Sequence, residues 1–177
     1  MRWKERLVAA EKFFIPAFFG LAAFLFMTCG TSLFFLNTTE SLPRGLYLMI
    51  PSTSIRCGDY AVYEITDNVR QLCMERNYHP AKDGPILFLK RVGALPGDLY
   101  EVRQDFSFFI EGKPVGKVEK VDSKGRIMPI QFGMHIVPEG EFLPCGIPSN
   151  SLDGRYTGPV PLENIRARAV PIFTEFP

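Results

Sequence analysis

A chain of 177 residues with 46% apolar side chains is long enough for one domain with a buried core. Its formal net charge of +1, with no basic stripe interleaved with aromatics, argues against a nucleic-acid partner. No Cys-x-x-Cys pair is present and His79 and His135 are the only histidines, so nothing has the spacing of a zinc site, and no metal or cofactor is expected.

Taken in chain order, residues 1–12 are basic, with Arg2, Lys4, Arg6 and Lys12, and precede an uncharged run from Phe13 to Leu36. As a helix, those 24 residues would span about 36 Å at ~1.5 Å per residue, enough to cross a bilayer with some tilt. A cleaved signal peptide is the alternative, but the run exceeds the roughly 7–15 residues of a signal core and no small-x-small cleavage site follows Leu36. Residues 13–36 are therefore read as a retained transmembrane anchor. Positive charge lies on the N-terminal side, which predicts a cytoplasmic N-terminus, with residues 37–177 across the membrane as one exported domain.

Beyond residue 40, glycine and proline punctuate short apolar runs, the pattern of a mainly β domain. The predicted strands are Gly45–Ile50, Tyr60–Ile65, Ile86–Val92, Asp98–Arg103, Phe106–Ile110, Gln131–Val137 and Ala167–Phe173. A hairpin turn is expected at Glu111–Pro114, where Gly112 can take positive φ. The polar segment Asp67–Asp83 reads as an excursion from the sheet, and no long amphipathic helix stands out. Of the cysteines outside the apolar run, Cys57 and Cys73 bracket a short segment and would pair in an oxidising location. Three free thiols, with Cys145, are the other possibility.

The strand Ile86–Val92 carries the chemical clue. With period two, Ile86, Phe88, Lys90 and Val92 share one face. A lysine so placed usually reaches out to water at a strand end. If buried, its charge is disfavoured and its amine becomes a general base suited to activating a hydroxyl. Ser41, just beyond the apolar run, is by itself an ordinary interface serine. A Ser-Lys pair suffices for amide attack and recurs on several folds.

The segment "FLKRVGALPGDLYEV", ending at Val102, resembles the lysine-bearing box of type I signal peptidases, with Lys90, Arg91, Gly93, Leu95, Pro96, Gly97 and Asp98 in order. "NSLDGRYTGPVP", Asn150 to Pro161, resembles the last box of that family. "SLPRGLY", from Ser41, is more similar to the nucleophile box of the TraF-type conjugative-transfer branch than to that of the housekeeping enzymes, which usually carry Met where Leu42 stands. Gly154 replaces the second serine of the last box.

The resemblance implies a coiled β-sheet or barrel catalytic domain behind one N-terminal transmembrane helix. By it, Ser41 is the nucleophile and Lys90 the base, and Thr39 joins the Ser41 N–H in the oxyanion hole. Ser151 orients the lysine, and Asp153 and Arg155 form a structural pair beside it. Leu42, Leu46, Tyr47 and Phe88 are candidates for the substrate pocket. The expected substrate is a pilin precursor at the bilayer of the bacterial inner membrane, with the catalytic domain periplasmic and other conjugation-apparatus proteins as further partners. Two other classes stay open: a housekeeping signal peptidase with many exported substrates, and a non-catalytic assembly module. Asp98 reads as a turn residue, and Phe106, Phe108 and Phe109 as core or as a membrane-dipping edge.

Overall fold

The computed structural model describes residues 20, 33–52, 54–79 and 84–175. Among these, eleven strands form two antiparallel sheets. The larger has the order β1 (Phe34–Asn37), β2 (Gly45–Ile50), β11 (Ile165–Thr174), β3 (Tyr60–Glu64), β4 (Leu87–Ala94), β9 (Glu141–Cys145), β10 (Val160–Pro161). The smaller has the order β7 (Lys113–Lys117), β6 (Ser107–Ile110), β5 (Leu99–Val102), β8 (Gly133–Ile136).

Strand β4 owes its central place to being apolar on both faces. Ile86, Phe88 and Val92 pack with Ala61, Tyr63 and Phe142 on one side, while Leu87 and Leu89 pack with Leu42, Tyr47 and Val62 on the other. Lys90 therefore projects on the side of Phe88 and Val92, as period two requires. The smaller sheet closes over a third cluster that includes Tyr100, Val102, Phe108, Leu143 and Tyr156.

The turns follow local chemistry. Leu95-Pro96-Gly97-Asp98 is a β-turn closed by the Asp98 N–H donating to the Leu95 carbonyl at 3.0 Å, with Gly97 at φ 88°. Proline followed by a glycine at positive φ is the signature of type II. Asp98 also accepts from the Leu95 N–H at 2.8 Å, which makes it the turn residue its position suggests. Glu111 and Gly112 both have positive φ between the paired residues Ile110 and Lys113, the two-residue loop of a twisted hairpin. Phe108 is core, and Phe109 stacks under the Arg103 guanidinium at 3.8 Å.

Several expectations change. One compact unit begins at Phe34, and Phe34–Leu36 of the apolar run belong to its sheet as β1. The rest of the anchor expected over 13–36 lies, apart from Gly20 and Leu33, outside the described residues, as does the N-terminal segment 1–12. Among the described residues no helix is long and apolar enough to cross a membrane. Part of the polar excursion is a helix, α1 (Asp67–Glu75), which buries Val69 and Cys73. Cys57 and Cys73 are not bridged: Cys57 is exposed with its Sγ donating to Asp98 at 3.7 Å, Cys73 sits in the core, and Cys145 is also free.

Candidate active site

The hairpin of β1 and β2 pairs Asn37 with Gly45, and the loop between them carries Ser41. Its closing residue has to be glycine. Gly45 sits at φ 141°, and a Cβ there would lie 2.0 Å from the Phe173 carbonyl oxygen on β11. The Ser41 carbonyl accepts from the Ile147 N–H at 2.8 Å, which pins the loop against the segment after β9.

Lys90 reaches this loop from the middle of β4. Its Nζ is 2.6 Å from Ser41 Oγ and 2.6 Å from Ser151 Oγ, and the two hydroxyls are 3.2 Å apart. The lysine is only 4% exposed. Burial lowers the pKa of its ammonium to about 8, with the Asp153 carboxylate opposing that shift and the Arg155 guanidinium adding to it. The amine is thus surrounded by hydroxyls and sits near neutrality in its proton affinity. Such a group can take a proton from Ser41.

Ser151 is held by a buried ionic framework. Asp153 and Arg155 are 1% and 2% exposed. Arg155 donates from Nε to Asp153 Oδ1 at 2.9 Å and from Nη2 to Asp153 Oδ2 at 2.7 Å, a fork on a carboxylate. Its remaining donors go to the carbonyls of Lys117, Gly146 and Pro148. One side chain thereby joins β7 of the smaller sheet to the loop that positions Ser151. Asp153 also accepts from the Gly146 N–H at 2.6 Å.

Two glycines are fixed by this packing. At Gly154, where the resembling family carries serine, an added Cβ would lie 2.5 Å from Leu143 Cδ1, so β9 leaves no room. At Gly146 an added Cβ would meet Ser151 Oγ at 2.1 Å and Ser151 Cβ at 2.6 Å. The variant Gly146→Ala is expected to push Ser151 off Lys90 and lower kcat/KM about 10²-fold, the usual effect of a displacement near 1 Å at a reacting centre. Steady-state kinetics on folded protein checks this, and an unchanged kcat/KM would remove Ser151 from the site.

A cleft of about 420 Å³ opens beside the three groups. Its walls include Phe35, Leu87, Phe88, Leu89, Met128 and Leu152, with Thr39, Ser41, Lys90 and Asn150 among the polar lining. Of the pocket candidates, Phe88 lines it. Leu42 and Tyr47 do not: both are buried in the core beneath β4, and Tyr47 satisfies its hydroxyl on the Pro43 carbonyl at 2.7 Å. Leu46 lies in β2 outside the cleft lining. Thr39 is on the rim, its hydroxyl donating to Asn37 Oδ1 at 2.8 Å. Arg44 pairs with Glu40 at 2.8 Å in solvent, where an ion pair contributes little.

The family model described as signal peptidase, peptidase S26, matches residues 6–174. The chain belongs to the signal peptidase S26 family. That family is one of serine peptidases, so a serine and a base in one cleft are the parts its chemistry requires. The chain is 33% identical over 159 residues to the conjugal transfer protein TraF of Agrobacterium tumefaciens (strain 15955), covering 80% of this chain and 83% of that one. It is 29% identical over 150 residues to the plasmid transfer protein TraF of Escherichia coli, covering 78% and 81%. Signal peptidase I of Enterococcus faecalis V583 aligns at a TM-score of 0.38 and 19% identity, over 65% of this chain and 96% of that structure. The S26 assignment covers both boxes picked out in the sequence and the loop that carries Ser41. Sequence reasoning passed over Asn37, whose buried carboxamide underlies that loop, since a lone asparagine after an apolar run carries no signal of its own.

Proposed function

We propose that this chain is a membrane-anchored serine endopeptidase that uses Ser41 and Lys90 to process a pilin precursor for plasmid conjugative transfer. The observation that carries this is the buried Lys90 amine 2.6 Å from Ser41 Oγ. Similarity to TraF proteins over about four fifths of the chain supports the conjugative role.

In the active form Lys90 is neutral. It accepts the Ser41 hydroxyl proton and keeps its orientation by donating to Ser151 Oγ. The Ser41 oxygen then attacks the scissile carbonyl. The oxyanion is met by the Ser41 N–H and by the Thr39 hydroxyl, which turns away from Asn37 to donate. Removing one such donor typically costs ~3 kcal/mol of transition-state stabilisation. Lys90 returns its proton to the leaving amine, and an ester on Ser41 remains. Water attacking that ester gives a linear product. The amino terminus of the same pilin, held nearby at high effective concentration, would instead form an amide, regenerate the Ser41 hydroxyl and close a ring.

A single span ahead of Phe34, with its basic flank cytoplasmic, would hold the catalytic unit at the periplasmic face of the inner membrane, where a membrane-borne precursor presents its cleavage site. The testing experiment co-expresses the pilin precursor of the same plasmid with wild type or Ser41→Ala protein. Wild type should yield mature pilin and Ser41→Ala only precursor; processing by Ser41→Ala would refute the nucleophile. Intact mass then separates the products, since the ring is lighter by one water than the linear chain.

A further inference from the structure

We infer that Asn37, the last residue of β1, is a positioning residue for the nucleophile: its carboxamide sets the loop that presents Ser41 and Thr39 to Lys90. This rests on the Ser41–Lys90 mechanism above. Asn37 is 4% exposed and is the only buried residue of β1, while Thr38, Thr39 and Glu40 after it are exposed. Asparagine is seldom buried unless its donors and acceptor are all used.

Here they are. Nδ2 donates to the carbonyls of Thr39 at 3.1 Å, Leu42 at 3.0 Å and Pro43 at 3.1 Å. Oδ1 accepts from the Thr39 N–H at 3.2 Å and the Thr39 hydroxyl at 2.8 Å. Three carbonyls around one amide atom and an N–H at the other fix which is nitrogen and which is oxygen, because the flipped amide would set oxygen against oxygen. The carbonyls reached lie on both sides of Ser41. A single rigid group therefore spans the nucleophile from within, and it also holds the proposed oxyanion donor beside the cleft. Aspartate has the shape but no donor; leucine has the shape and neither function. Without the carboxamide, the loop keeps the Ile147–Ser41 bond and the Tyr47 hydroxyl on Pro43, but loses its grip on Thr39 and Leu42.

Lys90 and Ser151 make no hydrogen bond to Asn37, so a positioning role has a distinct signature. The nucleophile should react more slowly while the base keeps its titration. The test uses purified full-length protein and p-nitrophenyl acetate as probe, with acetylation of Ser41 followed by intact mass and peptide mapping between pH 6 and 9. Wild type should be acetylated at Ser41, and Ser41→Ala should not acquire that modification. Asn37→Asp and Asn37→Leu should react about 10²-fold more slowly with native circular dichroism at the assay temperature, and the uncharged Asn37→Leu should keep the pH midpoint of wild type. Rates within threefold of wild type would overturn the inference, as would a decrease matched by the fraction unfolded. Failure of wild type to acetylate at Ser41 would instead refute the underlying mechanism. Hydrogen exchange on wild type gives a second measurement that needs no variant. The Thr39 amide should be protected although its residue is exposed, and exchange at the rate of a free loop would overturn the tether.

Discussion

Lys90→Met is expected to lose peptidase activity while raising the melting temperature at pH 7. In the folded protein the amine has a pKa of about 8, against ~10.4 for a solvated lysine. Between those values the unfolded chain holds a proton that the folded chain does not, so wild-type stability rises with pH across that window. Below about pH 8 the penalty for burying the charge is fully present, on the order of 3 kcal/mol. Methionine removes it at similar volume, and the Ser41 and Ser151 hydroxyls remain 3.2 Å apart with each other as partners. Loss of two lysine hydrogen bonds offsets ~1 kcal/mol each, leaving a net gain of about 1 kcal/mol, or roughly 3 °C. At pH 10.5, where the penalty is nearly gone, the lost hydrogen bonds should dominate and the variant should melt below wild type, by about 1–2 kcal/mol. Activity should fall by about 10²–10⁴-fold, the range for a general base. In wild type, kcat/KM should climb with pH to a midpoint near 8 as the neutral amine forms. Thermal melts at the two pH values and a pH-rate profile check both halves. A flat profile from pH 6 to 9, or substantial cleavage by Lys90→Met, would show that Lys90 is not the base.

Asp153→Asn should be the most destabilising single change in the site. It leaves the Arg155 guanidinium buried without a counter-charge, which typically costs about 3–5 kcal/mol. In a domain of this size that is roughly 10–20 °C in melting temperature. The same substitution weakens the acceptor of the Gly146 N–H, so the Ser151 loop should loosen as the fold weakens. Arg155→Lys should also be poorly tolerated, because a point charge replaces a fork that serves one carboxylate and three carbonyls. Denaturant unfolding measures both. A loss under 1 kcal/mol for Asp153→Asn would mean that the pair does not anchor the site.

Short apolar runs set off by turn residues were legible from sequence: β2, β3, β4 and β11 overlap the runs that were predicted as strands. β9 was missed because Pro144 interrupts "EFLPC", although it pairs with Val92 across β4. β1 was hidden because Phe34-Phe35-Leu36 extends the apolar run without a break. Helix α1 was read only as part of an excursion from the sheet, because just Val69 and Cys73 turn inward on a short, largely polar segment. At the site, Ser41 read by itself as an ordinary interface serine, and it was singled out only once its own "SLPRGLY" stood together with the boxes around Lys90 and Ser151. Leu42 and Tyr47 were misplaced because neighbours of a nucleophile need not face its substrate. A tyrosine whose hydroxyl finds a backbone carbonyl within four residues can turn its ring into the core. Asn37 was invisible because its meaning lies in five hydrogen bonds that only the folded hairpin creates.

The sheet holds the two halves of the proposed catalytic pair in very different ways. Lys90 belongs to β4, flanked by β3 and β9, whereas Ser41 hangs from the hairpin of β1, an edge strand whose only partner among the described residues is β2. Edge pairings open at lower free energy than interior ones. The weakest point of the sheet therefore coincides with the proposed nucleophile. Fraying at that border would part Ser41 from Lys90 while the interior strands stay paired, so whatever steadies the border would set competence without touching the proposed base.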